Sequence, residues 1–330
     1  MDLDPDTFLT TVYVEIDTFC AQHPAPVRRG PHPRMSDSEV LTVMLVGQWH
    51  GTSERGTLAW IAQTYHAAFP VLLSPSAFNR RARRLAGLVT TLLHDLAQRL
   101  AVWEEWFEIV DGLPVPLAAW TRGKRRKCFP PEEADLGYGG TDKSAYYGIS
   151  LMLCVTGSGV ITGLVTAPAN NAERWSLSAL LAWRHDPTVV PMGIEAIPSA
   201  AKHGRTLVGP VGHRLSPATA GPAVTDVYLA DRGFTGDDWD RAWRERYYAQ
   251  VMTPADLPPT LRHWFHDARQ CIETVNGVLT DVLHIRFPRA RTEAGLITRI
   301  VSKCAALNLG IFINRRVQRP DLALGTLFRG

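Results

Sequence analysis

Apolar residues recur at helical spacing through the first hundred residues of the chain. Residues 8–19 carry the first such pattern, which predicts an amphipathic helix. Ser36 and Glu39 form a capping-box pattern before a second apolar run, and Gly51 is placed to end that helix. Two further helices are predicted at about 55–68 and 77–102. We therefore predict an all-helical domain over residues 1–103.

From about residue 104 the pattern changes to short strand-like runs. Residues 146–156 and 160–166 flank two glycines, which predicts a hairpin with a short turn. The other predicted strands are 104–110, 224–230 and 247–252, and the predicted helices are 174–183, 262–283 and 292–313. Strands and helices in this order predict an α/β fold, a mixed sheet with helices on its faces. The second domain is predicted to cover 104–330, with a loop-rich insertion at about 184–222.

The composition narrows the class of protein. The chain has 330 residues, and its 35 Lys and Arg against 32 Asp and Glu leave a net charge of only +3. Net charge therefore says little about a nucleic-acid partner, and the clustering of charges has to be examined instead. The five cysteines are scattered without a C-x-x-C pair, which suits a reducing cytosol and argues against a zinc module or a disulfide framework. The acidic N-terminus is unlike a signal peptide, and no uninterrupted apolar stretch approaches ~18 residues, so no membrane span is expected.

Three acidic residues lie at positions from which their side chains could converge at one edge of the predicted sheet. Asp111 ends an apolar run and is followed by Gly112, so the backbone is expected to turn directly after the acid. Asp231 ends a second run, and Glu273 lies in the first of the two C-terminal predicted helices. A single aspartate at a strand end is more often a cap or a turn former. Three carboxylates that converge, however, can hold a pair of Mg²⁺ or Mn²⁺ ions over a scissile phosphate.

Basic residues are clustered in two tracts. One follows the helix start signal at Ser74, and the other lies in a predicted loop after the first acid. Both tracts predict contacts with the DNA backbone, while a solvated protein surface is the ordinary alternative. Arg269 lies four residues before Glu273, which is the less favourable order for a helix ion pair and favours a bidentate contact with phosphate. The predicted DNA-binding residues are Arg80, Arg81, Arg83, Arg84, Arg122, Lys124, Arg125, Arg126, Lys127 and Arg269.

Several short motifs occur in a particular order along the chain. They are Ile109-Val110-Asp111, Tyr147-Gly148, Ala169-Asn170, Ala230-Asp231-Arg232-Gly233-Phe234, and Arg269-x-x-x-Glu273-Thr274 followed by Leu279. With these motifs in this order and spacing, the chain resembles the DDE transposases of bacterial insertion sequences over about residues 36–314. It departs from them at Thr280 and Asp281, which occupy the region of a usual lysine, and at Glu173, where aspartate is usual.

The resemblance implies an RNase H-like catalytic domain in which Asp111, Asp231 and Glu273 are the ligands of two Mg²⁺ or Mn²⁺ ions. It also implies DNA partners (terminal inverted repeats and target DNA), a homodimer on that DNA, and a place in the bacterial cytoplasm with the nucleoid. The helical domain would then bind the DNA ends. We therefore predict a transposase that cleaves and joins DNA ends by metal-dependent phosphoryl transfer. Two alternatives stay open: an RNase H-like nuclease without strand transfer, and a transposase-derived DNA-binding protein without catalysis.

Overall fold

The computed structural model describes most of the chain, as α-helices and a mixed β-sheet. The described residues are 3–24, 33–100, 105–119, 129–139, 144–185, 207–208, 226–286 and 288–327. Contacts between residues divide the chain into two compact units. The first comprises Met1–Leu96, Val278–Ile285 and Ala294–Gly330, and the second comprises Ala97–Gly277 and Arg286–Glu293.

The helices and strands are numbered here in chain order. The helices are α1 (Pro5–Gln22), α2 (Asp37–His50), α3 (Glu54–Thr64), α4 (Pro75–Arg84), α5 (Ala86–Arg99), α6 (Glu173–His185), α7 (Asp237–Tyr247), α8 (Arg262–Gly277) and α9 (Glu293–Arg316). The strands are β1 (Phe107–Ala119), β2 (Asp135–Gly139), β3 (Ser144–Thr156), β4 (Ile161–Pro168), β5 (Leu207–Val208), β6 (Asp226–Leu229) and β7 (Ala249–Met252). A π-helical turn, Val278–Val282, follows α8, and 3₁₀ turns lie at Arg232–Phe234 and Pro259–Leu261.

Local capping chemistry sets the helix boundaries in the first unit. Ser36 Oγ accepts the backbone N–H of Glu39, and the Glu39 carboxylate accepts that of Ser36, which confirms the predicted capping box at the start of α2. Gly51 ends α2 in the left-handed region, at φ 70°, as predicted. The single helix predicted at 77–102 is instead two helices, because Leu85, at φ −91° and ψ 2°, ends α4 before α5 begins.

Helix α9 is the buried core helix of the first unit. By length and composition it is apolar enough to cross a membrane, although no such segment was expected from the uninterrupted apolar stretches. Of its most apolar 18-residue window, however, 89% is buried inside the protein. This is the environment of a helix in the core of a folded unit.

The two units differ from the predicted division into residues 1–103 and 104–330. Helix α9 belongs with the N-terminal helices, because its polar groups bond to them. Lys303 Nζ donates to Gln48 Oε1 at 2.7 Å, and Arg299 Nη2 donates to Glu54 Oε1 at 2.8 Å. The role of these helices in binding DNA ends stays a prediction.

The sheet has the strand order β5-β4-β3-β1-β6-β7, with β2 beside β3. Strands β1, β3 and β4 pair with one another in antiparallel fashion, whereas β6 and β7 run parallel to β1. This confirms the predicted mixed sheet and hairpin. Strand β2 was not predicted, and it pairs with the first five residues of β3. The predicted insertion at 184–222 lies outside the described residues, apart from the end of α6 and strand β5.

Strand β1 is much longer than predicted, so Asp111 lies within a strand and not at its end. Its pairing with β3 continues to Ala119. The prediction that the backbone turns directly after Asp111 is therefore wrong, although a glycine and two prolines follow this residue. Among the described strands, β6 pairs with β1 only as far as Ile109, which leaves the rest of β1 as an edge strand on that side. An edge strand accommodates Pro114 and Pro116 because it has unpaired N–H positions.

One face of the sheet packs against α6 and α7. Its buried cluster is completed by the paired Trp239 and Trp243 of α7. Beside Tyr228 of this cluster, the Arg184 guanidinium bonds to the buried Glu108 carboxylate and to Thr162 Oγ1. Thr162 Oγ1 accepts a further guanidinium N–H, from Arg184 Nη2 at 2.8 Å, and this offsets part of the cost of burying the ion pair. This packing fixes α6 and the strands β1 and β6, and β6 leads directly into Asp231.

Candidate active site

Asp111 and Asp231 stand at the same level of two adjacent parallel strands. Ile109 of β1 pairs with Leu229 of β6, and each aspartate follows two residues later. The backbone at Asp231 stays extended, at ψ 178°. Side chains two residues apart on an extended chain point to the same face, so the two aspartates share the face of the paired Ile109 and Leu229. Residues 120 positions apart are thereby brought side by side.

The turn after Asp231 is fixed by hydrogen bonds on both sides. Asp231 Oδ1 accepts the Gly233 backbone N–H at 2.7 Å and so caps the short 3₁₀ turn. Arg174 Nε, on α6, donates to the Gly233 carbonyl at 2.8 Å. The position of the Asp231 carboxylate therefore depends on α6 as well as on its own strand.

Helix α8 presents one face to Asp111. Arg269, Glu273 and Asn276 follow each other at spacings of four and three residues, which places them on the same side of a helix. Arg269 Nη2 lies 3.7 Å from Asp111 Oδ1, and Asn276 Nδ2 donates to Asp111 Oδ2 at 3.1 Å. The Glu273 charge also acts on Asp111 and raises the pKa of its carboxyl. Asp231 and Glu273 thus each lie within electrostatic range of Asp111.

Glu173, the first residue of α6, adds a fourth carboxylate. Its side chain lies against Gly112, where a Cβ atom would overlap its Oε1. Burial raises the pKa of Glu173 to about 7, and the charges of Asp111 and Asp231 contribute to that rise. The only sequence signal for Glu173 was that the transposases which the chain resembles usually have aspartate at this position. What makes Glu173 a site residue is the close approach of α6 to β1, which no local spacing encodes.

The electrostatics of the site are dominated by crowded negative charge. Burial raises the pKa of Asp111 to about 6, Arg269 lowers it, and the like charges of Asp231 and Glu273 raise it. Arg269 is the cation that faces these carboxylates, and its side chain is only 13% exposed. The site therefore binds added positive charge favourably.

The donor chemistry suits a hard divalent cation. Carboxylate oxygens are the preferred ligands of Mg²⁺ and Mn²⁺, and burial, together with the like charges of neighbouring acids, raises the pKa of Asp111 and of Glu173. Within the described ranges, no three His, Cys, Asp or Glu side chains are grouped so as to hold an ion. The ligand chemistry of these acids thus suits a divalent cation. To bind it, their side chains would have to move closer together.

The predicted DNA-binding residues fall in different surroundings. Arg80 and Arg84 are exposed on α4, whereas Arg81 is paired with Asp37 and only 14% exposed, and Arg83 is half-buried. Arg269 faces Asp111 and was expected to face a phosphate. The second tract lies outside the described residues: Arg122, Lys124, Arg125, Arg126 and Lys127.

The chain matches no model of a known protein family. A search of curated proteins gives no match, and a search of solved structures gives none. Its function is therefore inferred from the geometry and chemistry of this site.

Proposed function

We propose that the chain is a DDE-type DNA transposase, which cleaves DNA ends and joins them to a target by metal-dependent phosphoryl transfer. The observation that carries the proposal is the placement of Asp111 and Asp231 at one level of adjacent parallel strands, with Glu273 of α8 within electrostatic range of Asp111. The order of the strands, three antiparallel and then two parallel, supports an RNase H-like fold. DNA, a homodimer on DNA and a location with the bacterial nucleoid belong to the same proposal.

In this proposal Asp111, Asp231 and Glu273 would hold two Mg²⁺ or Mn²⁺ ions. Such ions supply Lewis-acid stabilisation of the phosphoryl group and lower the pKa of an attacking water or hydroxyl. Asp111 lies within electrostatic range of both other acids, so it would contribute to holding the ions together with each of them. Arg269 balances the negative charge near Asp111 and can turn to a phosphate oxygen when that carboxylate is otherwise engaged. Glu173 adds negative charge on the β1 side.

The test uses the DNA that flanks the reading frame, because a transposase acts on the ends of its own element. Purified protein is incubated with this DNA and a target plasmid in Mg²⁺, Mn²⁺ or EDTA. We expect cleavage at the element ends and joined products, with neither in EDTA. Cleavage without joined products would favour a nuclease, and stable binding without cleavage would favour a DNA-binding protein.

Three variants, Asp111→Asn, Asp231→Asn and Glu273→Gln, test the site itself. Each is expected to slow cleavage by a factor on the order of 10³ or more, because several kcal/mol of transition-state stabilisation is removed. DNA binding should persist, since basic residues elsewhere supply most of it. Asp238→Asn is the matched control, because Asp238 is 89% exposed on α7. Full cleavage by a purified Asp231→Asn protein would refute the assignment.

A further inference from the structure

Asn276 holds one oxygen of the first candidate catalytic acid. Its Nδ2 donates to Asp111 Oδ2 at 3.1 Å, across 165 residues of sequence. An ionised carboxylate only accepts hydrogen bonds, so the amide nitrogen of Asn276 must be the group that faces it. The orientation of the Asn276 amide is therefore determined by Asp111.

The amide oxygen of Asn276 lowers the stability of the protein. Its Oδ1 is buried and, among the described residues, has no hydrogen-bond partner. A buried polar atom without a partner destabilises a protein by about 1–3 kcal/mol. Leucine would fill similar space without this cost. The bond to Asp111 is thus the interaction that distinguishes asparagine from an apolar residue here.

Asn276 and Arg269 act on the same carboxylate from one helix face. They are seven residues apart on α8, which is close to two helical turns. Arg269 lies near Oδ1 of Asp111, and Asn276 bonds to Oδ2. Arg269 offsets the charge of the carboxylate, whereas Asn276 fixes its rotation without neutralising it. A neutral donor leaves the remaining lone pairs of Asp111 with their full charge for a cation.

We infer that Asn276 is a positioning residue that orients the Asp111 carboxylate for cation binding. The inference rests on the proposed function and extends it to a residue that the sequence motifs did not include. Hydrogen-bond partners of this kind commonly account for 10–100-fold in metal affinity or activity. Asn276 does not touch the reacting atoms, so its effect should pass through Asp111.

The test compares Asn276→Leu and Asn276→Gln with the wild type. Gln270→Ala is the control, since Gln270 is exposed on the same helix. Mn²⁺ binding is measured without DNA, from the decrease of the electron paramagnetic resonance signal of free Mn²⁺, and cleavage is measured as kcat and KM. For Asn276→Leu we expect about 10-fold weaker Mn²⁺ binding and about 10-fold lower kcat, with an unchanged KM for DNA. Asn276→Gln, which keeps the amide, should recover part of both effects.

The Asp111→Asn variant distinguishes a failure of the proposed metal-dependent function from a failure of the role inferred for Asn276. If Mn²⁺ binds wild type and Asp111→Asn equally, the proposed metal-dependent function fails and the inference fails with it. If Asp111→Asn no longer binds Mn²⁺ while Asn276→Leu keeps wild-type affinity and kcat, only the inference is overturned. Where Asn276→Leu does not fold, Asn276→Ala replaces it, with the same expected decreases. A change in thermal stability alone, with Mn²⁺ affinity intact, would show that Asn276 is merely structural.

Discussion

Arg269 and Asp111 face each other across the candidate active site, with Arg269 Nη2 3.7 Å from Asp111 Oδ1. The guanidinium is only 13% exposed, and its Nη1 has no hydrogen-bond partner among the described residues. Arg269 was predicted to bind a DNA phosphate, and in this structure it instead offsets the charge of the acids. The two roles are compatible if a divalent cation takes over that charge when DNA is bound.

Removing the Arg269 charge should make the protein depend on divalent cations for stability. We expect Arg269→Gln to lower the free energy of unfolding by about 1–2 kcal/mol in EDTA, because the repelling carboxylates no longer face a cation. Added Mg²⁺ should reduce that deficit, since binding to the folded state stabilises it. Urea unfolding in EDTA and in Mg²⁺ at a concentration on the order of 10 mM measures both effects. An equal deficit under both conditions, or the same deficit in the exposed-site control Arg262→Gln, would contradict this account.

The Asp111 carboxylate should cost stability while it enables catalysis. Because burial raises its pKa to about 6, ionising this carboxyl costs more in the folded than in the unfolded state, and above about pH 6 the folded protein bears that cost in full. Asp111→Asn removes this cost, so at a pH of about 7.5 in EDTA we expect the free energy of unfolding to rise by on the order of 1 kcal/mol. The same variant should not cleave DNA. Chemical unfolding measures the first effect, with Asp238→Asn as the unchanged control. A clear decrease of stability in Asp111→Asn would contradict the expectation.

The arginines of α4 should separate into structural and DNA-binding residues. Arg80→Ala with Arg84→Ala should leave stability within about 0.5 kcal/mol but weaken DNA binding, because both side chains are exposed. The salt dependence of binding should flatten by about 0.9 in slope for each DNA phosphate that the variant no longer neutralises. Arg81→Ala should instead lower stability by about 1–3 kcal/mol, since its partner Asp37 is left largely buried.

Binding titrations at several salt concentrations, together with urea unfolding, distinguish the two groups of α4 arginines. Arg244→Ala with Arg246→Ala is the matched control, a pair of exposed arginines on α7. If the Arg80 and Arg84 double variant and this control bind DNA equally, with the same salt slope, the α4 tract is a solvated surface.

Because of Lys303, the free energy of unfolding should increase as the pH rises from about 8 to 10. Burial lowers its pKa to about 8, with a contribution from the charge of Arg299, while its Nζ donates to Gln48 Oε1 and to the Leu283 carbonyl. The unfolded chain keeps the Lys303 proton up to about pH 10. Between about pH 8 and 10 the unfolded state therefore binds more protons, and stability rises with pH.

The comparison for this prediction is Lys303→Met, which removes the charge and keeps most of the volume. From about pH 8 to 10 we expect wild type to gain on the order of 2 kcal/mol relative to the variant. Urea unfolding at half-unit pH steps measures the difference, in which other titrating groups largely cancel. Two parallel stability curves would show that the Lys303 ammonium is not desolvated as described.

The sequence by itself determined the local elements and the residue types of the site. Ser36, Glu39 and Gly51 set the limits of α2 through bonds within a few residues, which spacing alone reveals. Two strand-like runs on either side of a short glycine turn likewise predicted the β3–β4 hairpin, and the order of strands and helices predicted the mixed sheet. Asp111, Asp231 and Glu273 were each identified from the elements around them. These features depend on contacts between near neighbours in the chain.

The tertiary structure decided which residues from distant elements come together at the candidate site. Asp111 lies within β1 because β3 continues beside it, and it meets Asp231 because β6 enters the sheet in a particular parallel register. Glu173 and Asn276 join the site only because α6 and α8 pack where they do. Such contacts join segments that are distant in the sequence, and they depend on how whole elements pack. Helical and strand periodicity show which face of an element is apolar, but they do not show which other element it will meet.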